Sequence, residues 1–478
     1  MLFNSQAFAV FFLTVFSLYL LLARHHQWQN RMLLVASYIF YGSWNWRFLG
    51  LLMFTTTVDY WCGRGIGASR DAAQRRRLLC VSIGVNLAVL GFFKYVNFFA
   101  GSLARLLARA GAPVSMPMLH IILPVGVSFY TFQSLSYIID VYRRDAEPTR
   151  PFLDFALFIA FFPQLIAGPI ERVTHLRPQI ERPRRVTWVG VREGVYLILW
   201  GLFQKVFVAD ALARLVDPVF GPVTPTNGAL VLVALYAFAF QIYCDFAGYT
   251  SMARGLAKCL GFELIENFRQ PYVSKNPREF WQRWHISLST WLRDYLYIPL
   301  GGSRGGPWQT ARNLLLTMAI GGLWHGAAWT FVCWGLYHGM LLVAHRAMAP
   351  MFAARPEIRG RVAQRAWALA RMVATFHLVC VGWLLFRATS LTQAGRLLRA
   401  LCSAATWRYD VDVLMQWSWV VFLLWAFWII ESLQHWSDDA QIVRRAPAAV
   451  RGLVYAVMLI AVGMAGVSGG RPFIYFQF

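Results

Sequence analysis

Apolar runs long enough to cross a bilayer recur along almost the whole chain, and that recurrence limits the fold more than any other feature. A hydrocarbon core of about 30 Å is spanned by roughly 20 residues of helix. Inside it every backbone amide and carbonyl has to be satisfied within the protein. Candidate spans lie at about 6–23, 31–43, 47–63, 78–97, 120–140, 188–210, 228–257, 311–327, 329–346, 367–387, 413–431 and 450–467. A further run, 152–168, carries Pro163, Gly168 and Pro169 and is expected to be broken and re-entrant. The chain is 58% hydrophobic and 14% charged, with a mean hydropathy of +0.48. Soluble domains run at about 45–50% apolar and about 25% charged. The expected fold class is therefore all-α: a polytopic membrane protein with about 11–13 transmembrane helices plus interfacial and re-entrant helices. With no internal repeat, one membrane domain over 1–478 is the simplest organisation.

Forty-five Lys and Arg face 22 Asp and Glu, a net charge of +23. The basic residues sit in short loops between apolar runs, where they act as topology signals and lipid-headgroup contacts. That placement argues against nucleic acid as a partner and for the lipid bilayer. The basic stretches 24–31, 69–77, 142–150, 171–185 and 359–371 are assigned to the cytoplasmic side, which puts both termini outside. Two loops, 98–118 and 389–412, carry arginines on the other side and are expected to hold interfacial helices. The amino end lacks a positive region and a small-residue cleavage site, so it reads as a retained first span. Seven dispersed cysteines without a CxxC are expected to be free thiols, and no metal site is visible.

Between spans, residues 267–308 differ in character. Asn276 before Pro277 is a helix-start signal. Trp281, Trp284, His285, Leu288, Trp291, Leu292 and Tyr295 then recur at one-face helical spacing. The expectation is a single tryptophan-rich interfacial helix on the cytoplasmic side, with His285 on its apolar face. Glu279, Arg283, Arg293 and Asp294 lie along it. Arg283 and Arg293 could hold the phosphates of a soluble donor, or all four could form a solvated face. GGSRG at 301–305 matches the G-x-S-x-G string, but a flexible loop ending a helix lacks the strand-to-helix turn a nucleophile elbow needs.

The helix pair 311–346 contains GGLWHGAAWTFVCWGLYHGM, residues 321–340. An ionisable side chain in so apolar a segment is costly and defaults to a functional reading. Gly321, Gly322 and Gly326 clear space around His325 for another backbone or a substrate. Imidazole can take a proton from a hydroxyl and return it near neutral pH. His325 is accordingly the candidate catalytic base and His285 its candidate partner. His338, His345, His377 and His435 are assigned structural roles. Trp324, Trp281, Trp284 and Asp245 are candidates for the substrate path. For Asp245, capping a backbone or pairing with an arginine is an equal alternative.

Those residues carry a resemblance. EFWQRWHISLSTWLRDYLYIPLGG (279–302) and NLLLTMAIGGLWHGAAWTFVCWGLYHG (313–339) resemble the paired histidine regions of the membrane-bound O-acyltransferases, in the branch that O-acetylates bacterial exopolysaccharides. LPVGVSFYTFQSLSYIIDVYR (123–143), FIAFFPQLIAGPIER (158–172), QIYCDFAGYTSMARGLAKCLGF (241–262), ENFRQPY (266–272), VGWLLFRA (381–388) and the terminal FIYFQF extend it. The resemblance implies that His325, in LWHG, is the family's invariant histidine and His285, in RWHISLS, its second position. It implies helices around a thinned, hourglass-like centre, with a funnel from each side meeting near the histidine. The implied donor is an acyl thioester from the cytoplasm, acetyl-CoA, used as substrate with no permanently bound cofactor. The implied acceptor is an exported polysaccharide of alginate or cellulose type, reached directly or through a periplasmic acetyltransferase beside a synthase and export complex. The implied location is the bacterial inner membrane. An exporter and a non-catalytic scaffold remain alternatives.

Overall fold

The structure, a computed structural model, describes the chain apart from residues 115–117, 167, 223–226, 354–359, 408–417, 438–441, 466–472 and 475–478. The helices are α1 Gln6–Leu21, α2 His26–Gly42, α3 Trp46–Ala68, α4 Ala72–Leu90, α5 Val96–Arg109, α6 Val127–Arg143, α7 Phe152–Ala160, α8 Phe162–Leu165, α9 Val173–Glu181 and α10 Trp188–Leu202. They continue as α11 Asp210–Val219, α12 Gly228–Cys259, α13 Pro277–Arg283, α14 Ile286–Leu292, α15 Pro307–His325, α16 Trp329–Ala353 and α17 Arg361–Arg387. The last are α18 Leu391–Cys402, α19 Ser418–Ser437 and α20 Ala448–Ala465. The architecture is all-α, with no strand among the described residues. Five continuous helical stretches there are long and apolar enough to cross a membrane: 72–109, 188–219, 228–259, 361–387 and 448–465. The chain packs as two compact units, one of residues 1–199 and 249–265, the other of residues 200–248 and 266–478.

In the first unit, Asp71 starts α4 by accepting the amides of Ala73 and Gln74 at 3.0 and 3.1 Å, a cap that shields two of the helix's orphan donors. The run 152–168 is broken as its prolines require. α7 stops at Phe161 and α8 begins at Phe162, with Pro163 in its first turn. Phe155 to Phe162 are buried. Side chains from neighbouring helices satisfy the backbone at the break. Ser37 Oγ accepts the Phe162 amide at 3.1 Å, while Gln133 Nε2 and Gln164 Nε2 donate to the Phe158 carbonyl at 2.6 and 2.8 Å. Irregular backbone at membrane depth survives only with such partners. The loops 98–118 and 389–412 contribute helices α5 and α18 over their described residues, and the remainder of the second lies outside them.

In the second unit, α15 and α16 form an antiparallel hairpin whose backbones touch. A Cβ on Gly322 would fall on the Phe331 carbonyl oxygen, and one on Gly335 on the Met318 carbonyl oxygen. Neither obstacle can swing away, because both are backbone. Small residues let helices approach this closely when no hydrophobic force drives them together in lipid. The glycines beside His325 thus admit a helix, and Gly326 admits the Phe331 ring. Overpacking of a close contact costs about 1–3 kcal/mol, so Gly335→Ala should lower the thermal unfolding midpoint of the detergent-solubilised protein. An unchanged midpoint would show that the hairpin is not packed on its backbone.

Candidate active site

The segment expected to be one interfacial helix is two short helices with a corner between them, and the corner is His285. Asn276 Oδ1 accepts the Glu279 amide at 2.8 Å and Pro277 occupies the first turn, so α13 starts where the sequence placed it. It ends at Trp284, in extended conformation, and His285 takes φ 43°, ψ 57°. Left-handed backbone costs a non-glycine residue roughly 1–2 kcal/mol, so something must hold it there. Asn267 does. Its carbonyl oxygen accepts the Ile286 amide at 2.9 Å. Its Oδ1 accepts the Ser287 amide at 3.1 Å and Ser287 Oγ–H at 2.7 Å. The Arg269 amide donates to the Arg283 carbonyl at 3.0 Å, pinning the strand of chain alongside. Helical periodicity cannot express such a corner, because its cause lies in a residue 18 positions upstream.

That network also fixes a tautomer. His285 Nδ1 lies 3.3 Å from Asn267 Oδ1. Since Oδ1 is an acceptor from Ser287, Nδ1 carries the hydrogen and Nε2 is left as the basic nitrogen. His285 is fully buried, and burial pushes its pKa down to about 3.

His325 is the last residue of α15, with Gly326 as its C-cap. The residue is 3% exposed. It meets Trp324 and Trp334 at centroid distances of 5.0 Å, Phe386 at 5.5 Å and His285 at 6.4 Å. The two candidate histidines are therefore brought together, with Trp324 6.1 Å from His285 and Phe246 4.7 Å from it on another edge. Trp284 is fully buried and packs on Trp383 at 4.8 Å. His338 sits in the same aromatic wall, 5.0 Å from Trp334 and 5.2 Å from Trp281.

Asp245 is placed otherwise. Lys205 Nζ contacts its Oδ1 at 2.5 Å and the Ile474 amide donates to its Oδ2 at 2.7 Å. Both alternatives weighed for it, backbone cap and cation pair, are realised, with lysine as the cation. These partners hold the carboxylate in place.

A cavity of about 490 Å3 opens against α13, α14, α15 and α16. Arg278, Arg293 and Arg346 supply its positive lining, and His345, Trp281, Thr317 and Met318 form part of its wall. Arg293 thus lines it while also pairing with Asp294 at 2.7 Å. Arg283 is instead paired with Glu279 at 3.0 Å and is not among the lining residues. Arg278 and Arg346, which the sequence reading did not single out, do line it. Ser303, from the rejected GGSRG string, belongs to this wall, with Tyr297 Oη at 2.8 Å and Arg346 Nη1 donating to it at 3.2 Å. The lining reaches Met318, about two helical turns before His325. Trp281, on the cavity wall, lies 5.7 Å from Trp334, whose ring is 5.0 Å from that of His325, so two indoles connect the cavity wall to His325.

Two outcomes test this geometry. Asn267→Ala leaves the buried donors around His285 without their acceptor, each costing about 1–3 kcal/mol, and should lower the unfolding midpoint clearly. The lowered pKa of His285 means the unfolded chain, with imidazole near 6.5, binds the proton first on acidification. Stability from this group is present above about 6.5 and falls with pH towards 3. Midpoints measured from pH 7 to 5 should fall less steeply in His285→Gln than in the wild type, and equal slopes would contradict a buried neutral ring.

Comparison with known proteins identifies the chain's relatives. Residues 149–380 match the membrane-bound O-acyltransferase family. The chain is 47% identical over 409 residues to the probable alginate O-acetylase AlgI of Azotobacter vinelandii, covering 85% of this chain and 79% of that one. It is 35% identical over 435 residues to the peptidoglycan O-acetyltransferase of Helicobacter pylori, covering 84% and 80%. It is 28% identical over 280 residues to the teichoic acid D-alanyltransferase of Bacillus subtilis, covering 55% and 68%. A multi-pass helical chain with this likeness is an O-acyltransferase, and it belongs to the membrane-bound O-acyltransferase family.

Proposed function

We propose that the protein takes an acetyl group from a cytoplasmic thioester, acetyl-CoA, and passes it through the inner membrane to a hydroxyl of an exported polysaccharide of alginate type, with His325 as general base. The observation that carries this reading is a cavity with three lining arginines built on the same helix pair that ends in the buried His325. Arginine forks match phosphate oxygens two at a time, which suits a nucleotide-bearing thioester. The excess of Lys and Arg in the loops read as cytoplasmic supports a cytoplasmic cavity and external termini. Relatives named as an O-acetylase and an O-acetyltransferase support acetyl as the group carried.

In the reaction, an imidazole nitrogen of His325 removes the proton of the acceptor hydroxyl, whose oxygen attacks the thioester carbonyl. The tetrahedral intermediate collapses by breaking the C–S bond, and the departing thiolate takes the proton back from the imidazolium. The carbonyl end of α15 helps to carry the positive charge the ring acquires. His285, with Nε2 as its basic nitrogen, stands near enough to shuttle that proton or orient the acceptor. The acyl arm reaches His325 once Trp281 and Trp334 move aside. The acceptor is the polymer itself or a periplasmic acetyltransferase that relays the group.

Removal of a positioned base costs about 10²–10⁴ in rate. His325→Ala should therefore leave the protein in the membrane and the polymer at its normal yield, while the polymer's O-acetyl content falls below detection. Normal acetylation in that variant contradicts the role given to His325. Loss of the polymer itself on deleting the gene identifies an exporter instead.

A further inference from the structure

Three ring nitrogens in the aromatic wall that joins the cavity to His325 are buried with nothing to bond. Trp334 and His338 sit four residues apart on one face of α16, and Trp281 of α13 packs against both. The ring centroids close a triangle: 5.0 Å from Trp334 to His338, 5.2 Å from Trp281 to His338 and 5.7 Å from Trp281 to Trp334. Trp334 and His338 are each 1% exposed. Among the described residues, Trp281 Nε1, Trp334 Nε1 and His338 Nε2 have no hydrogen-bond partner. The indole nitrogens can only donate, whereas the imidazole nitrogen accepts when the ring hydrogen is on Nδ1. Gly382 of α17 gives His338 Nε2 its room, since a Cβ there would stand 2.5 Å from it. Trp284 Nε1 also lacks an acceptor. The three differ from it in meeting one another on the line from the cavity wall through Trp281 and Trp334 to His325.

We infer that this triangle recognises the first amide of the donor's pantetheine arm, the one two carbons from the sulfur. The inference rests on acetyl-CoA as the donor and adds the residues that read its arm. Buried polar groups without partners are costly, and the closed rings leave three of them unmet. An amide supplies what the triangle lacks: a carbonyl oxygen that accepts from the indoles and an N–H that donates to His338 Nε2. The position agrees. With the phosphates on the cavity arginines and the thioester at His325, this amide falls just short of the histidine, where the three rings are. As Trp281 and Trp334 give way to the arm, each exchanges a ring contact for a hydrogen bond. A plain hydrocarbon arm would open the same rings and leave every nitrogen unpaired. Sites built to hydrogen-bond a substrate reject analogues that lack the bonding group far better than sites that only fit its shape.

The test is thiol release by the purified full-length protein in lipid nanodiscs with an acceptor polysaccharide. It compares acetyl-CoA with an analogue in which that amide is replaced by two methylene groups. The wild type should favour the amide by about 10-fold or more in kcat/KM. Trp281→Phe and Trp334→Phe keep a ring and delete the N–H, and each should bring that preference several-fold closer to one. A second analogue, with an ester in place of the amide, removes only the N–H. The wild type should disfavour it against acetyl-CoA, and His338→Phe should not. Each ratio compares two donors on one preparation, so a loss of folded protein cancels. Equal wild-type rates on the amide and methylene donors overturn the inference, as do ratios unaltered in the three variants. Both results leave acetyl-CoA standing as the donor. A wild type that releases no thiol from acetyl-CoA overturns the donor reading and this inference with it.

Discussion

The contact of backbone on backbone between α15 and α16 is the constraint from which the site follows. Because Gly322 and Gly335 leave no side chain between the helices, α16 runs close enough for Trp334 to lie across the end of α15. His325 is then the residue at which α15 stops, packed against Trp324, Trp334 and Phe386 with its ring centroid 6.4 Å from that of His285. A hairpin held further apart would put a gap where Trp334 stands and would loosen the ring proposed as the base. Preorganised groups contribute to rate because they do not have to be ordered during the reaction.

His285 reaches the same place by a different route. Its left-handed backbone is held by Asn267, whose carbonyl and side-chain oxygens gather donors from Ile286, Ser287 and the His285 ring. Strain of this kind persists only where the surroundings over-determine it, and such positions cluster at functional sites. One asparagine thus both bends the chain and selects which imidazole nitrogen is basic.

Much of this was legible in the sequence, and the limits are physical ones. Apolar length exposed the spans, prolines exposed the break after Phe161, and Asn276–Pro277 exposed the start of α13, because each is a local rule. Glycine next to His325 signalled a close approach without saying to what. The corner at Trp284–His285 stayed hidden behind an intact helical period, since tryptophan spacing is set by burial and not by backbone conformation. Arg346 and Arg278 were hidden as cavity residues because membership of a cavity depends on which helices meet. Asp245 could be recognised as needing a partner, but Ile474, 229 positions away, could not be found by spacing. The terminal FIYFQF is described only at Phe473 and Ile474.

The central claim is that His325 acts on the thioester chemistry and not on the binding of the donor proposed for the arginine-lined cavity, which ends about two helical turns away. Thiol release from acetyl-CoA by the purified protein in lipid nanodiscs, in the presence of an acceptor polysaccharide, measures it directly. The account predicts that His325→Gln lowers kcat by at least about 10²-fold while leaving the donor's KM within a few-fold of wild type. A variant whose kcat is preserved and whose KM alone rises would contradict it.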